Sequence, residues 1–421
     1  MKSPHLLALY HMSNKWGAVH YAMKLLKIIA SGLPLFDEKC EIDFFAQQRV
    51  NDESSEKMGR LFASSSRQYY QNNALAIIGI NASGKTTVLK LISFVGGLLN
   101  NKPVNDISYS EIMDGLDSSS EAIFDIYFYD DNQTINCLHT VISKKDGRLV
   151  ITDETLKSKP SSNVRSKISI FDFDNCKESV TRDNSEAFLL DDVSIMVAFN
   201  KKAKKRLAMT DMLQYTNINE LCINEDCPLE LISFFNPSIE YLRIKSKGKD
   251  SDIRLKFFGE EEIELNRKTD LNRYLSSGTI KGINTFSNAI RTFKNGGYLI
   301  IDELENHFNH EIVSTLIHFY MDRKVNPKGA MLIFSTHYDE LLDKFDRNDC
   351  IYIVRNRNGI SAEKLVNVLK RNDIRKSEAY QSGFLGGTVP AYEAYIKLKK
   401  SLITSQAEAK HRCTRGTNKI K

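Results

Sequence analysis

Long hydrophobic runs are absent from this sequence of 421 residues. A membrane-spanning helix needs about 20 consecutive apolar residues, and no stretch of the chain approaches that length. The N-terminus also lacks the basic start, apolar centre and small-residue cleavage site of a secretory signal peptide. These absences predict a cytoplasmic protein that has no membrane partner.

Cysteine and excess charge are also scarce. The seven cysteines have no regular spacing, which fits a reducing compartment better than a disulfide framework. Cys222 and Cys227 stand close together, but without a second Cys/His pair they are interpreted as idle thiols. The net charge of +5 does not by itself imply a nucleic-acid partner. The basic run from Lys201 to Arg206 is compatible either with a solvated helix face or with a contact to a phosphate backbone or an acidic partner. The composition is otherwise that of a globular chain with two or three domains, or one elaborated domain.

A glycine-rich segment follows a short apolar run early in the chain. Ala74–Ile78 has the pattern of a buried strand, residues 79–86 read GINASGKT, and apolar residues at helical spacing come next. This order of strand, loop and helix is the context of a phosphate-binding loop, in which backbone N–H groups point at phosphate oxygens. The Lys85 ammonium suits the β and γ phosphates, and the Thr86 hydroxyl suits Mg²⁺. The residues expected to contact the nucleotide are Gly79, Asn81, Ala82, Ser83, Gly84, Lys85, Thr86 and Thr87.

Two acidic residues end another apolar strand, which runs from Tyr298 to Ile301. Asp302 is placed to hold Mg²⁺ together with Thr86, directly or through water. Glu303 is suited to polarise an attacking water molecule as a general base. His337 ends the next predicted strand, where it can reach the γ phosphate and that water. The sequence therefore predicts Thr86 and Asp302 as metal ligands, and Glu303 and His337 as catalytic residues.

The segment LSSGT, from Leu275 to Thr279, lies between these two parts of the chain. The hydroxyls of Ser276 and Ser277 and the helix start behind Gly278 are suited to bind a phosphate. Short Ser/Gly strings are also common as turns and helix caps, so this segment alone does not decide between the two roles.

Together these segments resemble the ATP-binding-cassette superfamily, whose Walker A, signature, Walker B and switch-His motifs they match. In that family the signature of one protomer completes the ATP site of the other. The resemblance therefore implies ATP hydrolysis with Mg²⁺, and a head-to-tail homodimer or a higher homo-oligomer. Two departures stand out. The family's glutamine between phosphate loop and signature has only Gln133 as an early candidate, and residues 304–307, LENH, replace the usual D-loop.

Finer features resemble the standalone OLD-like ATPases of bacterial abortive-infection and other anti-phage systems. They are GINASGKT, IIDELENHFNHEIV, and FSTHYDELLDKFDRNDCIYIVRN followed by QSGFLGGTVP, and the resemblance covers roughly residues 23–395. The acidic cluster of a Toprim nuclease is missing. The resemblance implies a sensor or regulatory subunit that controls a separate effector protein, such as a nuclease or toxin. The alternatives are a DNA repair or chromosome-maintenance ATPase, and an ATP-bound scaffold that scarcely turns ATP over.

The order of strand and helix signals predicts an α/β fold. We expect an ABC-type P-loop core, a mostly parallel sheet flanked by helices, with an antiparallel β-subdomain and a helical insertion. The predicted divisions are an N-terminal extension (1–22), a first ATPase lobe with the phosphate loop and the β-subdomain (23–175), a helical or mixed insertion (176–274), a second lobe with signature, acidic strand and His337 (275–395), and a C-terminal helix with a basic tail (396–421).

Overall fold

The computed structural model describes residues 20–21, 23–64, 67–176, 178–182, 189–203, 205–215, 220–223, 227–247, 250–306, 308–386 and 395–405. Most of the predicted N-terminal extension and basic tail, and part of the QSGFLGGTVP segment, lie outside these residues. Within them, no helix is both long and apolar enough to cross a bilayer.

The strands within these residues belong to five sheets, two of which have six strands each. In chain order the strands are β1 His20–Tyr21, β2 Lys24–Ser31, β3 Lys39–Asp43, β4 Gly59–Ser64, β5 Arg67–Gln71, β6 Ala74–Ile78, β7 Glu121–Asp130, β8 Thr134–Lys145, β9 Arg148–Pro160, β10 Glu178–Thr181, β11 Lys205–Arg206, β12 Met209–Asp211, β13 Ile239–Lys247, β14 Asp250–Phe257, β15 Ile263–Leu265, β16 Tyr298–Ile301, β17 Met331–Thr336, β18 Ile351–Asn356 and β19 Ile360–Lys364.

The helices differ widely in length. They are α1 Asp52–Ser55, α2 Lys85–Leu99, α3 Met196–Ala203, α4 Leu229–Phe235, α5 Ser277–Asn295, α6 His310–Met321, α7 Leu365–Val368 and α8 Lys376–Gln381, followed by α9 at residues 395–405. Short 3₁₀ segments lie at Val104–Asp106, Ser110–Met113, Ser161–Asn163, Ile168–Ile170, Leu213–Tyr215, Lys268–Arg273 and Asp339–Lys344.

The central sheet has the order β12-β16-β17-β6-β18-β19, and its first five strands run parallel. Every residue of β6, β16 and β17 is buried, as expected for parallel strands that are covered on both faces. β6 comes from the first half of the chain and lies between β17 and β18 from the second half. The prediction of a mostly parallel sheet within an α/β fold is confirmed at this level.

The second large sheet, β10-β9-β8-β7-β2-β3, is antiparallel. Along β7 buried side chains alternate with half-buried ones, which is the pattern of a sheet with one more fully covered face. That face packs on α2, where the rings of Phe94 and Phe124 lie 5.5 Å apart. The predicted β-subdomain hairpin is confirmed, and α2 lies between the two large sheets. The sequence pattern of residues 167–173 predicts a further strand of this sheet, which is wrong, because the segment holds the 3₁₀ turn Ile168–Ile170.

Two buried tyrosines connect the large sheets. The Leu25 N–H donates to the Tyr298 hydroxyl and the Asp43 N–H donates to the Tyr352 hydroxyl, each at 2.7 Å. Each bond therefore joins a strand of the antiparallel sheet to a strand of the central one, and satisfies a backbone group that the contact would otherwise bury without a partner.

The sequence pattern predicts a helix from about residue 190 to residue 215, and this prediction is wrong in its second half. The helix α3 ends at Ala203, and Met209–Asp211 forms β12, which pairs in parallel with β16. A strand of three residues carries no detectable periodicity, so pairing with the buried β16 decides its conformation rather than local propensity. The third sheet, β13-β14-β15, packs against α5 to form a separate small core.

Candidate functional site

The loop between β6 and α2 has the backbone that a phosphate-binding loop requires. Ala82 and Gly84 have φ values of 62° and 97°. A Cβ on Gly79 would come within 2.4 Å of both the Ser83 Oγ and the Val354 carbonyl oxygen, so only glycine fits there. The Ser83 hydroxyl is buried and has no hydrogen-bond partner among the described residues. Asn81, Ala82 and Thr86 are exposed, and Thr87 is half-buried.

Lys85 folds back over this loop. Its Nζ donates to the carbonyl oxygens of Gly79 at 3.0 Å and Ile80 at 3.3 Å, and lies 3.4 Å from His337 Nδ1. Burial lowers the pKa of Lys85, whereas the carboxylates of Asp302 and Glu303 oppose that shift. The ammonium is thus held at the mouth of the loop by neutral carbonyls, which a phosphate can replace as acceptors.

Thr86 and Asp302 form a pair of potential oxygen ligands for a metal ion. The Thr86 hydroxyl donates to Asp302 Oδ2 at 2.6 Å, and the buried Ser335 hydroxyl donates to Asp302 Oδ1. A hydroxyl and a carboxylate in contact are hard ligands of the kind that Mg²⁺ selects. The residues present therefore fit a divalent cation at this position.

Glu303 follows Asp302 in a left-handed conformation, with φ of 47°. Its N–H donates to the Ser335 hydroxyl at 2.7 Å, and its Oε1 lies 3.5 Å from His337 Nε2. Because the turn is fixed by this bond, the carboxylate of Glu303 is directed toward the imidazole ring. A backbone strained in this way is found most often at functional sites.

The strand register explains why these side chains meet. In β16 and β17, Ile301 pairs with Phe334, so Asp302 and Ser335 emerge next to each other. In β17 and β6, Thr336 pairs with Ile78, so His337 emerges beside the phosphate loop. The carboxyl ends of parallel strands share one edge of the sheet, where α/β proteins place their ligands.

The segment Ser276–Gly278 begins α5, which is 19 residues long. Ser276 Oγ accepts the Thr279 N–H at 3.1 Å and caps the helix. Within the described residues, no hydrogen bond joins Ser276, Ser277 or Gly278 to the phosphate loop of the same chain. One turn further along the helix, Lys281 lines a cleft together with Asp302 and Glu303. Burial lowers the pKa of Lys281 and the charge of Glu303 opposes this shift.

One residue that the sequence did not indicate, Glu305, contacts a site residue, whereas the glutamine candidate Gln133 lies elsewhere. Gln133 lies in the β7–β8 turn, where its carbonyl oxygen accepts the Ser161 N–H at 2.7 Å, so it belongs to the antiparallel sheet. Gln214 instead follows β12, and the pairing of Asp211 with Ile300 brings it out at the same sheet edge as Asp302. Glu305 Oε1 accepts the backbone N–H of His337 at 2.5 Å. The sequence would have placed Gln214 at this edge only if β12 had been recognised as a strand.

Searches against protein-family models and against curated proteins find no match. Among solved structures, the chain is similar to one described as the crystal structure of the SmcHead bound to the C-winged helix domain of ScpA. The two are 16% identical, with a TM-score of 0.42 over 82% of this chain and 99% of that chain. A likeness this distant does not define a reaction, which depends on the side chains of this chain.

Proposed function

We propose that this chain binds ATP with Mg²⁺ and hydrolyses it at the carboxyl edge of the central sheet. One observation supports the proposal above the others. A phosphate-loop lysine, a Thr–Asp oxygen pair, a strained acid and a histidine, drawn from three strands, are linked at that edge by contacts of 2.6 to 3.5 Å. Structural ion pairs alone do not require this combination of groups.

Each residue has a defined task in this proposal. The loop N–H groups and Lys85 bind the β and γ phosphates, and Lys85 exchanges the Gly79 and Ile80 carbonyls for phosphate oxygens. Thr86 and Asp302 hold Mg²⁺, which neutralises charge on those phosphates. Glu303 accepts a proton from the attacking water, and His337 holds that water and the γ phosphate in line. Phosphoryl transfer depends mainly on such positioning.

Substitution of two of these residues tests the proposal. Lys85→Ala removes the charge opposite the phosphates, so we expect loss of ATP binding. Glu303→Gln keeps the shape of the site but removes the base, so we expect binding to remain and hydrolysis to slow by on the order of a hundredfold or more. ATP binding by calorimetry and phosphate release measure the two steps. Equal loss of binding in both variants would contradict the separate roles.

We also propose that the site is completed in trans. The cap of α5 is not hydrogen-bonded to its own phosphate loop, whereas Lys281 on the same helix faces Glu303. In a dimer, α5 would connect phosphate binding at Ser276, Ser277 and Gly278 to Glu303 of the same chain, because Lys281 on that helix lines the cleft beside Glu303. A head-to-tail homodimer, or a higher homo-oligomer, would bring the signature of one chain to the phosphate loop of another. Each chain would contribute the phosphate loop from the lobe at residues 23–175 and the signature from the lobe at residues 275–395, with the insertion at residues 176–274 between them in sequence.

The biological role that we propose is that of a cytoplasmic sensor or regulatory subunit in an anti-phage system. ATP-dependent dimerisation would control a separate nuclease or toxin. The support is the motif resemblance. A DNA-maintenance ATPase is the second candidate, favoured by the basic run at residues 201–206. It predicts hydrolysis that DNA stimulates and that salt suppresses.

A further inference from the structure

Glu305 is a buried acid that the proposed chemistry does not use. Its side chain is 7% exposed, and its Oε1 accepts the backbone N–H of His337 at 2.5 Å. Its other oxygen, Oε2, is buried and has no hydrogen-bond partner among the described residues. Burying a carboxylate costs free energy unless it is paired or hydrogen-bonded, so its presence here requires a reason.

The acidic turn and the end of β17 are joined by a short ladder. The Leu304 N–H donates to the Ser335 carbonyl at 3.0 Å, next to the bond between the Glu303 N–H and the Ser335 hydroxyl. The bond from His337 to Glu305 is the last in this series. Beyond Thr336 the strand β17 has ended, so the described contact that holds the backbone of His337 to the acidic turn is the Glu305 carboxylate.

The ring of His337 lies between two groups of the proposed site, 3.4 Å from Lys85 Nζ and 3.5 Å from Glu303 Oε1. A small rotation of the backbone at His337 would move the ring away from one of them. Misplacing a catalytic group by about 1 Å can cost two orders of magnitude in rate. The anchor at Glu305 therefore determines whether the ring is in place when ATP is bound.

We propose that Glu305 is a positioning residue, which acts on hydrolysis by holding the His337 main chain so that the imidazole stays between Lys85 and Glu303. The inference rests on the proposed ATPase function. On this proposal, Glu305 acts as a hydrogen-bond acceptor at a fixed distance, and its negative charge is not required. Substitutions that keep the acceptor and substitutions that keep the charge should therefore have different effects.

Three substitutions of Glu305 separate these properties. Glu305→Gln keeps an acceptor oxygen at the same reach and should retain most of the wild-type kcat. Glu305→Asp keeps the charge but is shorter by one methylene, and Glu305→Ala has neither property. Both should lower kcat by about tenfold or more while changing KM and ATP affinity less than about threefold. Glu311→Gln is the matched control, since Glu311 is exposed on α6, and it should be indistinguishable from wild type.

A double-mutant cycle tests whether Glu305 acts through His337. In a His337→Ala background, Glu305→Ala should lower the remaining kcat by less than about twofold, because the group that it positions is already gone. Equal effects of Glu305→Ala in both backgrounds would overturn the inference, and so would a Gln variant as impaired as Ala. If Ala does not fold, the comparison of Gln with Asp decides. A wild-type protein that binds ATP without hydrolysing it would instead reject the proposed function, and the inference with it.

Discussion

At the scale of single residues, Ser335 organises both acids of the site. It is fully buried, its hydroxyl donates to Asp302, and the same oxygen accepts the N–H of Glu303. One small side chain thus orients a proposed metal ligand and fixes the strained turn of the proposed base. Groups that orient metal ligands in this way commonly affect affinity and rate nearly as much as the ligands themselves.

Ser335→Ala should therefore impair hydrolysis without unfolding the protein. We expect kcat to fall about 10- to 100-fold and the Mg²⁺ concentration for half-maximal activity to rise, because Asp302 loses its donor and Glu303 loses its acceptor. Steady-state phosphate release over a Mg²⁺ titration measures both effects. Ser314→Ala is the control, because Ser314 is equally buried but lies on α6. An unchanged Mg²⁺ dependence would argue against an orienting role for Ser335.

At the scale of elements, Glu154 joins β9 to its neighbours. Its fully buried carboxylate accepts the Thr140 hydroxyl at 2.9 Å, the Ser194 hydroxyl at 2.7 Å and the Ile195 N–H at 2.7 Å. Arg182 lies 3.6 Å away. The acid thereby connects β8 and β9 to the start of α3, outside the proposed catalytic site.

Stability should depend on pH through Glu154. Burial raises the pKa of this carboxyl, and its hydrogen bonds oppose the shift only in part. A raised pKa means that the folded state binds the proton more tightly. The resulting contribution is complete below the unfolded pKa of about 4.3 and is lost as pH rises through the folded value. The advantage of wild type over Glu154→Gln in urea unfolding should therefore shrink from pH 4 upward, and a growing advantage would contradict this assignment.

Glu154→Ala removes the carboxylate that accepts all three hydrogen bonds. It leaves two hydroxyls and a backbone N–H without their partner, which should lower the free energy of unfolding by about 3 kcal/mol.

The first turn of α5 is the element on which the proposed dimer depends. Gly278→Asp would place a negative charge and a side chain at the helix N-terminus that is proposed to meet a partner's phosphate. Mixing this variant with Lys85→Ala should restore part of the activity, since one composite site retains both intact halves. A mixture as inactive as either parent at every concentration would mean that the site works in cis, or that both sites must act together.

The elements also show how far sequence reasoning reached. The strands β6, β16 and β17 were predictable because their apolar runs are uninterrupted and flanked by motifs of defined spacing. The location of Gln214 was not, because β12 has only three residues and forms through pairing with β16. Glu305 was missed for another reason: its partner is the backbone N–H of His337, and a contact between residues 32 apart leaves no local pattern.

At the scale of the whole molecule, the bond from the Leu25 N–H to the Tyr298 hydroxyl is one of the polar contacts that join the two large sheets. Tyr298→Phe would leave the buried Leu25 N–H unpaired, so we expect a loss of about 1 to 3 kcal/mol in unfolding free energy. Tyr320→Phe is the matched control. Its hydroxyl contacts that of Thr292, which also donates to the Ala289 carbonyl, so the loss should be smaller. Denaturant melts of both variants measure the difference, and equal losses would show that the Tyr298 bond has no special weight.

The position of β6 between β17 and β18 has a consequence for synthesis on the ribosome. A chain that emerges from its N-terminus exposes β6 and its loop long before either neighbouring strand exists, since 252 residues separate Lys85 from His337. At about 5 to 20 residues per second, that interval lasts roughly 10 to 50 s. During this interval the five apolar residues of β6 have no neighbouring strand to pair with, so they can aggregate or bind a chaperone. Under the proposed function, nucleotide cannot assist folding during that time, because the proposed site is assembled only when the last third of the chain arrives.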